Sequence, residues 1–280
     1  MIEKAKVSKK FLLQTLNIII LLVGSILIVV PFFWMISTSL KAPHEVMQVP
    51  VNFIPENFLW ENYRTAFDAT PLPRFFLNSI IVTGLGTVGT ITITILAAFA
   101  FSKLQFYGRD VVFSVLIATM IVPSEILLIP NFVTLSQLGW IDTYKALIVP
   151  FLASVFFIFL LRQHFLGIPK ELQSAAKIDG CSDFKFLWYI MVPISKPAII
   201  TIALLKIINS WNSFMWPLIV TNSTNMRTLP VALSYFQREA GTSYHLLMAT
   251  TAMILLPIFI TYLFMQKHII EGIAKGGMKG

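Results

Sequence analysis

Leu12–Ser37 reads LLQTLNIIILLVGSILIVVPFFWMIS, 26 residues without one charged side chain. As an α-helix rising about 1.5 Å per residue, it is long enough to cross the roughly 30 Å hydrocarbon core of a bilayer. Working outward, comparable apolar runs recur at about 77–101, 111–133, 145–166, 198–220 and 246–266. This recurrence argues against a cleavable signal peptide at the N-terminus. Of the 280 residues, 56% are hydrophobic and 12% charged, with a mean hydropathy of +0.79; soluble domains carry about a quarter charged residues. Lipid offers the backbone no hydrogen bonds, so runs of this length select helices. The expected fold is an all-α integral membrane protein. Six transmembrane helices make up residues 12–266, between an N-terminal tail, 1–11, and a C-terminal tail, 267–280.

Charge orients the spans. Six spans place both termini on one side. The segments on that side hold fourteen Lys and Arg against six acids, whereas the opposite segments hold six against six. The positive-inside bias therefore puts both termini in the cytoplasm. The net charge of +8 then needs no nucleic acid, because basic residues flanking membrane segments face anionic lipid. The lone cysteine, Cys181, falls in an inner loop and cannot form an intrachain disulfide.

Chemistry-bearing motifs are sparse. Gly84, Gly86 and Gly89 spell G-x-G-x-x-G inside an apolar run, where close helix packing is the better account than a dinucleotide site. No G-x-x-x-x-G-K-[ST] occurs, so ATP hydrolysis by that device is not expected here. His44, His164, His245 and His268 form no H-E-x-x-H, and no G-x-S-x-G is present. Neither a metal nor a cofactor is expected, and the chain reads as a non-enzyme. Pro31, Pro123, Pro130, Pro150, Pro217 and Pro257 lie within or near the spans, which predicts kinked helices.

The inner loop 167–197 is the most informative stretch. Pro169 suits a helix's first turn, Gly180 its left-handed C-terminal cap, and Ser182 the cap of a second helix running to Pro193. Ala175 and Ala176 leave the first helix without bulk, which suits docking into a groove of another protein.

These residues resemble the signature of ABC-importer permeases: E-A-A, three residues, G, nine residues, then I-x-L-P. Here Ser174, Ala175 and Ala176 are followed by Asp179 and Gly180, then by Ile190 and Pro193. Ser174 replaces the usual glutamate and Val192 the leucine; Glu171, one turn earlier, is a candidate substitute for the lost charge. Glu61-Asn62-Tyr63-Arg64, Arg74–Ser79, Ala100–Leu104, Trp211–Leu218, Thr228-Leu229-Pro230 and the Lys275–Gly280 tail look like the carbohydrate branch, in particular the maltose-type permease subunit. The resemblance covers nearly the whole chain.

The resemblance implies a permease subunit of an ATP-driven, binding-protein-dependent carbohydrate importer in the bacterial cytoplasmic membrane. Its implied partners are a second related permease, two ATPase subunits and an external solute-binding protein. Glu171, Ser174, Ala175, Ala176, Asp179, Gly180, Ile190 and Pro193 are the implied coupling residues. For the substrate path the candidates are Glu125 and Lys206, the charged residues inside spans, together with Trp211, Asn212 and Trp216, whose rings and amide suit a sugar. Against that stand a Glu125–Lys206 or backbone-satisfied pair, a Lys206 snorkelling to the cytoplasm, and an interfacial aromatic belt. An amino-acid or peptide permease and an ion-coupled secondary transporter are the alternatives, and the second leaves the 167–197 loop unexplained.

Overall fold

The computed structural model describes residues 2–238 and 241–277, with side chains over 14–237, 241–264 and 266. The Lys275–Gly280 motif thus lies largely outside the described residues. The described chain is helical apart from connecting turns and a short antiparallel hairpin, β1 (Gln237–Arg238) with β2 (Gly241–Thr242). It divides into two compact units, residues 1–70 with 233–255 and residues 71–232 with 256–280.

In the first unit, α1 (Ile2–Ser39) carries the 12–37 run. The rest of the described chain covers none of its apolar window, as befits a surface made for lipid or for another subunit. The helix stops where Asn62 in α3 (Glu61–Asp68) donates its amide to the Ser39 and Lys41 carbonyls, both at 2.9 Å. Between them, α2 (Pro43–Val46) follows a fully buried Lys41 whose ammonium lies over the Trp34 ring and reaches the Asn52 carbonyl. A small core joins Ala66, Phe236 and Ala249.

The second unit is built on α4 (Leu72–Lys103), opened by Pro71 and Pro73, where missing N–H groups cost nothing. Against it pack α8 (Val155–Leu166) and α12 (Lys196–Trp211). Ile95, Ala98 and Phe99 meet Phe157, Leu161 and Phe165 in one core, while Val82, Leu135, Ala146, Leu147, Trp216 and Val220 form another.

Among the described residues, three helices are long and apolar enough to cross a membrane, and the number reaches five if each of two bent helix pairs is one span. The 145–166 run is one such pair: α7 (Tyr144–Ile148) passes through a 3-10 turn, Val149–Phe151, and meets α8 at 41°. The other pair comprises Asp183–Ile194 and α12, bent by 80°, so its halves cannot follow one membrane normal. The 111–133 run is not one helix. It splits into α5 (Arg109–Thr119) and α6 (Leu128–Gln137), joined by turns whose N–H groups reach back three residues, as from Val122 to Thr119 and from Ile126 to Pro123, both at 3.2 Å. Pro123 has no N–H and turns Val122 away from helical dihedrals, so the α ladder stops there. Pro31 and Pro257 instead sit within continuous helices, α1 and α14 (Tyr244–Gly277).

Candidate functional site

The 167–197 loop folds as two short helices. α9 (Lys170–Ile178) starts after Pro169, which stands at the N-cap rather than in the first turn. Gly180, with φ +71°, ends it. Its N–H donates to Lys177 O at 3.1 Å and that of Cys181 to Ala176 O at 2.9 Å, the paired closure of a Schellman cap. Ser182 caps α10 (Asp183–Phe186) by accepting from Lys185 N at 3.3 Å. A π turn, Leu187–Met191, and α11 (Val192–Ile194) lead to buried Ser195 and the bend into α12.

The loop has two faces. Ala176, Phe186, Leu187 and Met191 are buried with Phe99 and Phe165. Ala176 therefore seats α9 on its own bundle, where a larger side chain would hold it off, and is not available to another protein. Glu171, Ser174, Ala175, Asp179, Gly180 and Pro193 face outward, and Ile190 is half-buried. Beside them Ile178 is 87%, Tyr189 77% and Phe184 67% exposed, large apolar surface on a polar loop. The Ser174 hydroxyl turns back to Lys170 O at 3.3 Å.

Deeper in the same unit lies a cavity of about 200 Å³, bounded by α4, α7 with its 3-10 turn, α12, α13 (Met215–Val220) and Thr228. Pro150, which has no N–H, leaves the Ala146 carbonyl without a helical donor, and the non-helical residues 152–154 leave the Phe151 carbonyl free. Two side chains take up that carbonyl: Lys206 Nζ donates at 3.0 Å and Thr90 Oγ1 at 3.1 Å. This is how broken backbone persists in an apolar surrounding. The lysine stem passes Gly86 at ordinary contact range, since a Cβ there would lie 4.0 Å from Lys206 Cε. Trp216 sets its ring edge-on to Phe151, centroids 5.5 Å apart, and donates Nε1–H to Ala146 O at 3.0 Å.

The segment after α13 is tied down over this end of the unit. Asn78 donates to the carbonyls of Asn225 and Arg227, both at 2.8 Å, and accepts from the Tyr144 hydroxyl at 2.6 Å. Ser79 Oγ accepts from Leu229 N at 2.8 Å. Asp142, at φ +60°, accepts from the N–H groups of Asn222 and Ser223 at 3.0 Å. Burial would raise its pKa, yet these donors and the nearby Arg227 charge hold the carboxyl below the usual carboxylate range.

A sequence profile described as "Binding-protein-dependent transport system inner membrane component" matches residues 90–275. The arabinooligosaccharides transport system permease protein AraQ of Bacillus subtilis (strain 168) is 35% identical over 259 residues, covering 91% of this chain and 92% of its own. The chain belongs to this permease family. The permease is likewise 32% identical to the sn-glycerol-3-phosphate transport system permease protein UgpE of Brucella suis biovar 1 (strain 1330), over 98% and 99% of the two chains. It matches a chain in the crystal structure of a bacterial ABC transporter involved in the import of the acidic polysaccharide alginate, with a TM-score of 0.80, 25% identity, and 91% and 96% coverage.

Of the permease's candidate path residues, Lys206 and Trp216 line the cavity. Trp211 does not: it is buried edge-on against Phe76, centroids 5.8 Å apart. Asn212 is exposed and closes α12 through its backbone N–H to Ile208 O at 3.1 Å. Glu125 is exposed in the α5–α6 break, where it accepts from Ser124 Oγ at 3.2 Å; it forms no ion pair with Lys206. Sequence reasoning overlooked Ser79, Thr83, Asn209, Ser210, Ser213 and Thr228, all of which line the cavity. A signal existed: Ser79 with Thr83, and Asn209 with Ser213, recur at i, i+4 on helical faces or just beyond them. Among the described residues no three His, Cys, Asp or Glu cluster as a metal site.

Proposed function

We propose that the permease carries a carbohydrate across the bacterial cytoplasmic membrane as one of two related membrane subunits, with both termini in the cytoplasm and six membrane passages. The α5–α6 stretch is then one broken passage. An external binding protein delivers the solute, and two ATPase subunits supply the work. The names of AraQ and UgpE and the alginate importer support a sugar or sugar derivative as cargo.

The observation that carries the coupling is the two-faced loop 167–197. Its outward face, with Ile178, Phe184 and Tyr189, suits the docking of an ATPase, and Glu171, Ser174, Ala175, Asp179, Gly180, Ile190 and Pro193 complete it. The inward face is continuous with the core of α4 and α8 through Phe99, Phe165, Phe186 and Met191. Close-packed interiors transmit displacement rather than absorb it. Closure of the ATPase pair on ATP therefore moves α9 and α10, and the elbow at Ser195 passes that motion to α12 and the cavity. Partners that prefer one of two states make the cycle coupled.

The test is affinity purification of N-terminally tagged permease from native membranes, followed by uptake in vesicles. Co-purification of a second permease and an ATPase, with ATP-dependent uptake of an oligosaccharide, is the expected result. A chain recovered alone and driven by an ion gradient would overturn the proposal.

A further inference from the structure

Lys206 is an ammonium only 9% exposed, placed against a cavity, with the Phe151 carbonyl as its hydrogen-bond acceptor. Among the described residues no carboxylate forms an ion pair with it. An ammonium carries three N–H donors, and one carbonyl leaves donor capacity unused. A buried charge held by a neutral acceptor alone is costly, and an ionisable residue inside a membrane span facing a cavity is a functional candidate.

The rest of the lining points the same way. Asn209, Ser210 and Ser213 add polar groups beside Lys206, and no acidic residue is among the cavity's described lining. Thr228 Oγ1 is buried in a residue 4% exposed, borders the cavity, and has no hydrogen-bond partner among the described residues. Buried hydroxyls are normally satisfied, so the Thr228 hydroxyl, closed off just beneath the cavity wall, has an O–H to offer a guest. Apolar lining comes from Phe151, whose ring centroid lies 6.0 Å from Lys206 Nζ, and from the Trp216 ring set edge-on to it. Cation, hydroxyls and a flat apolar wall in about 200 Å³ suit one sugar-sized group bearing a negative charge.

We propose that this cavity receives the anionic group of an acidic sugar or polyol, a carboxylate or a phosphate, with Lys206 as counter-charge and Thr228 as a hydroxyl partner. This rests on the carbohydrate-importer reading and narrows it to acidic cargo.

The experiment titrates the purified, assembled transporter with D-galacturonate and with sn-glycerol 3-phosphate, and with the neutral controls galactose and glycerol, following the thermal midpoint. The two acidic probes separate carboxylate from phosphate cargo. At least one acidic probe is expected to raise the midpoint where its neutral control does not. Lys206→Met should weaken the apparent affinity for that probe about tenfold or more, and Lys206→Arg should restore most of it. A lysine that merely ties down the Phe151 carbonyl would make the acidic and neutral responses fall alike. If Lys206→Met fails to assemble, Thr228→Val and Lys206→Arg carry the test, the first weakening acid binding and the second keeping it. No midpoint shift with either acid, equal shifts with acid and control, or a shift that survives Lys206→Met would each overturn the proposal. ATP-dependent uptake of only neutral oligosaccharides by the same preparation would overturn it while leaving the importer reading intact; absence of any ATP-dependent uptake would instead strike at that reading.

Discussion

A Cβ placed on Gly89 would sit 2.5 Å from Leu152 Cδ2, so the Leu152 side chain packs directly over the surface of α4 that Gly89 leaves bare. Gly84 has nothing within 4 Å of that position. Of the three glycines spelling G-x-G-x-x-G, Gly89 is thus the one in close packing, and none belongs to a phosphate loop, because the helix runs unbroken through all three.

Gly89→Ala is therefore expected to cost the second unit about 1 kcal/mol or less, because the methyl it meets ends a leucine side chain that can turn aside and alanine is the better helix former. Leu152→Ala in the same chain should recover much of that loss by withdrawing the clashing methyl. Thermal unfolding of the two single variants and the double variant checks this. Additive losses would show that the two positions do not meet.

Gly180 isolates backbone conformation from bulk, because its φ is +71° while a Cβ would meet nothing within 4 Å. Gly180→Val should cost about 1–2 kcal/mol from the left-handed dihedral alone and loosen the cap between α9 and α10. Gly180→Asn, which tolerates that dihedral, should behave nearly as wild type. The readout is the ratio of uptake to ATP hydrolysis in the assembled transporter. It should fall for valine and hold for asparagine, whereas equal behaviour of the two would remove the cap from the coupling path.

Asp142 predicts a pH dependence. Its folded pKa is depressed, so the stabilisation it lends the 221–229 segment is complete above the unfolded value of about 3.9 and is lost as pH falls through the lower folded value. The protection factors of the Asn222 and Ser223 amides, taken relative to the slower intrinsic exchange in acid, should fall on acidification below about pH 4. Asp142→Asn keeps an acceptor oxygen and the positive φ but should abolish that response. Asp142→Ala should hand both N–H groups to water at every pH, at a cost of about 0.5–1.5 kcal/mol since the contact is part-exposed.

Much of the helical architecture was legible in advance because lipid imposes its demands segment by segment. The 12–37 and 77–101 runs lie inside α1 and α4, and 246–266 inside α14. The 111–133 run misled because hydropathy counts side chains, whereas Pro123 acts on the backbone. Gly180 and Ser182 were readable as caps since a cap is a contact among residues a few positions apart. Ala176 was placed on the wrong face, because which side of α9 turns inward depends on Phe99 and Phe165 far along the chain.

The sequence by itself determined that this is a helical membrane protein and where the 167–197 loop bends, since apolar length and cap chemistry are local properties. Only the tertiary structure decided that Lys206 serves the Phe151 carbonyl rather than Glu125, that Trp216 and not Trp211 reaches the cavity, and that Thr228 joins Ser79 and Ser210 there. Those pairings join residues tens to more than a hundred positions apart. They follow from how helices pack, and packing depends on the mutual fit of whole surfaces rather than on any one segment.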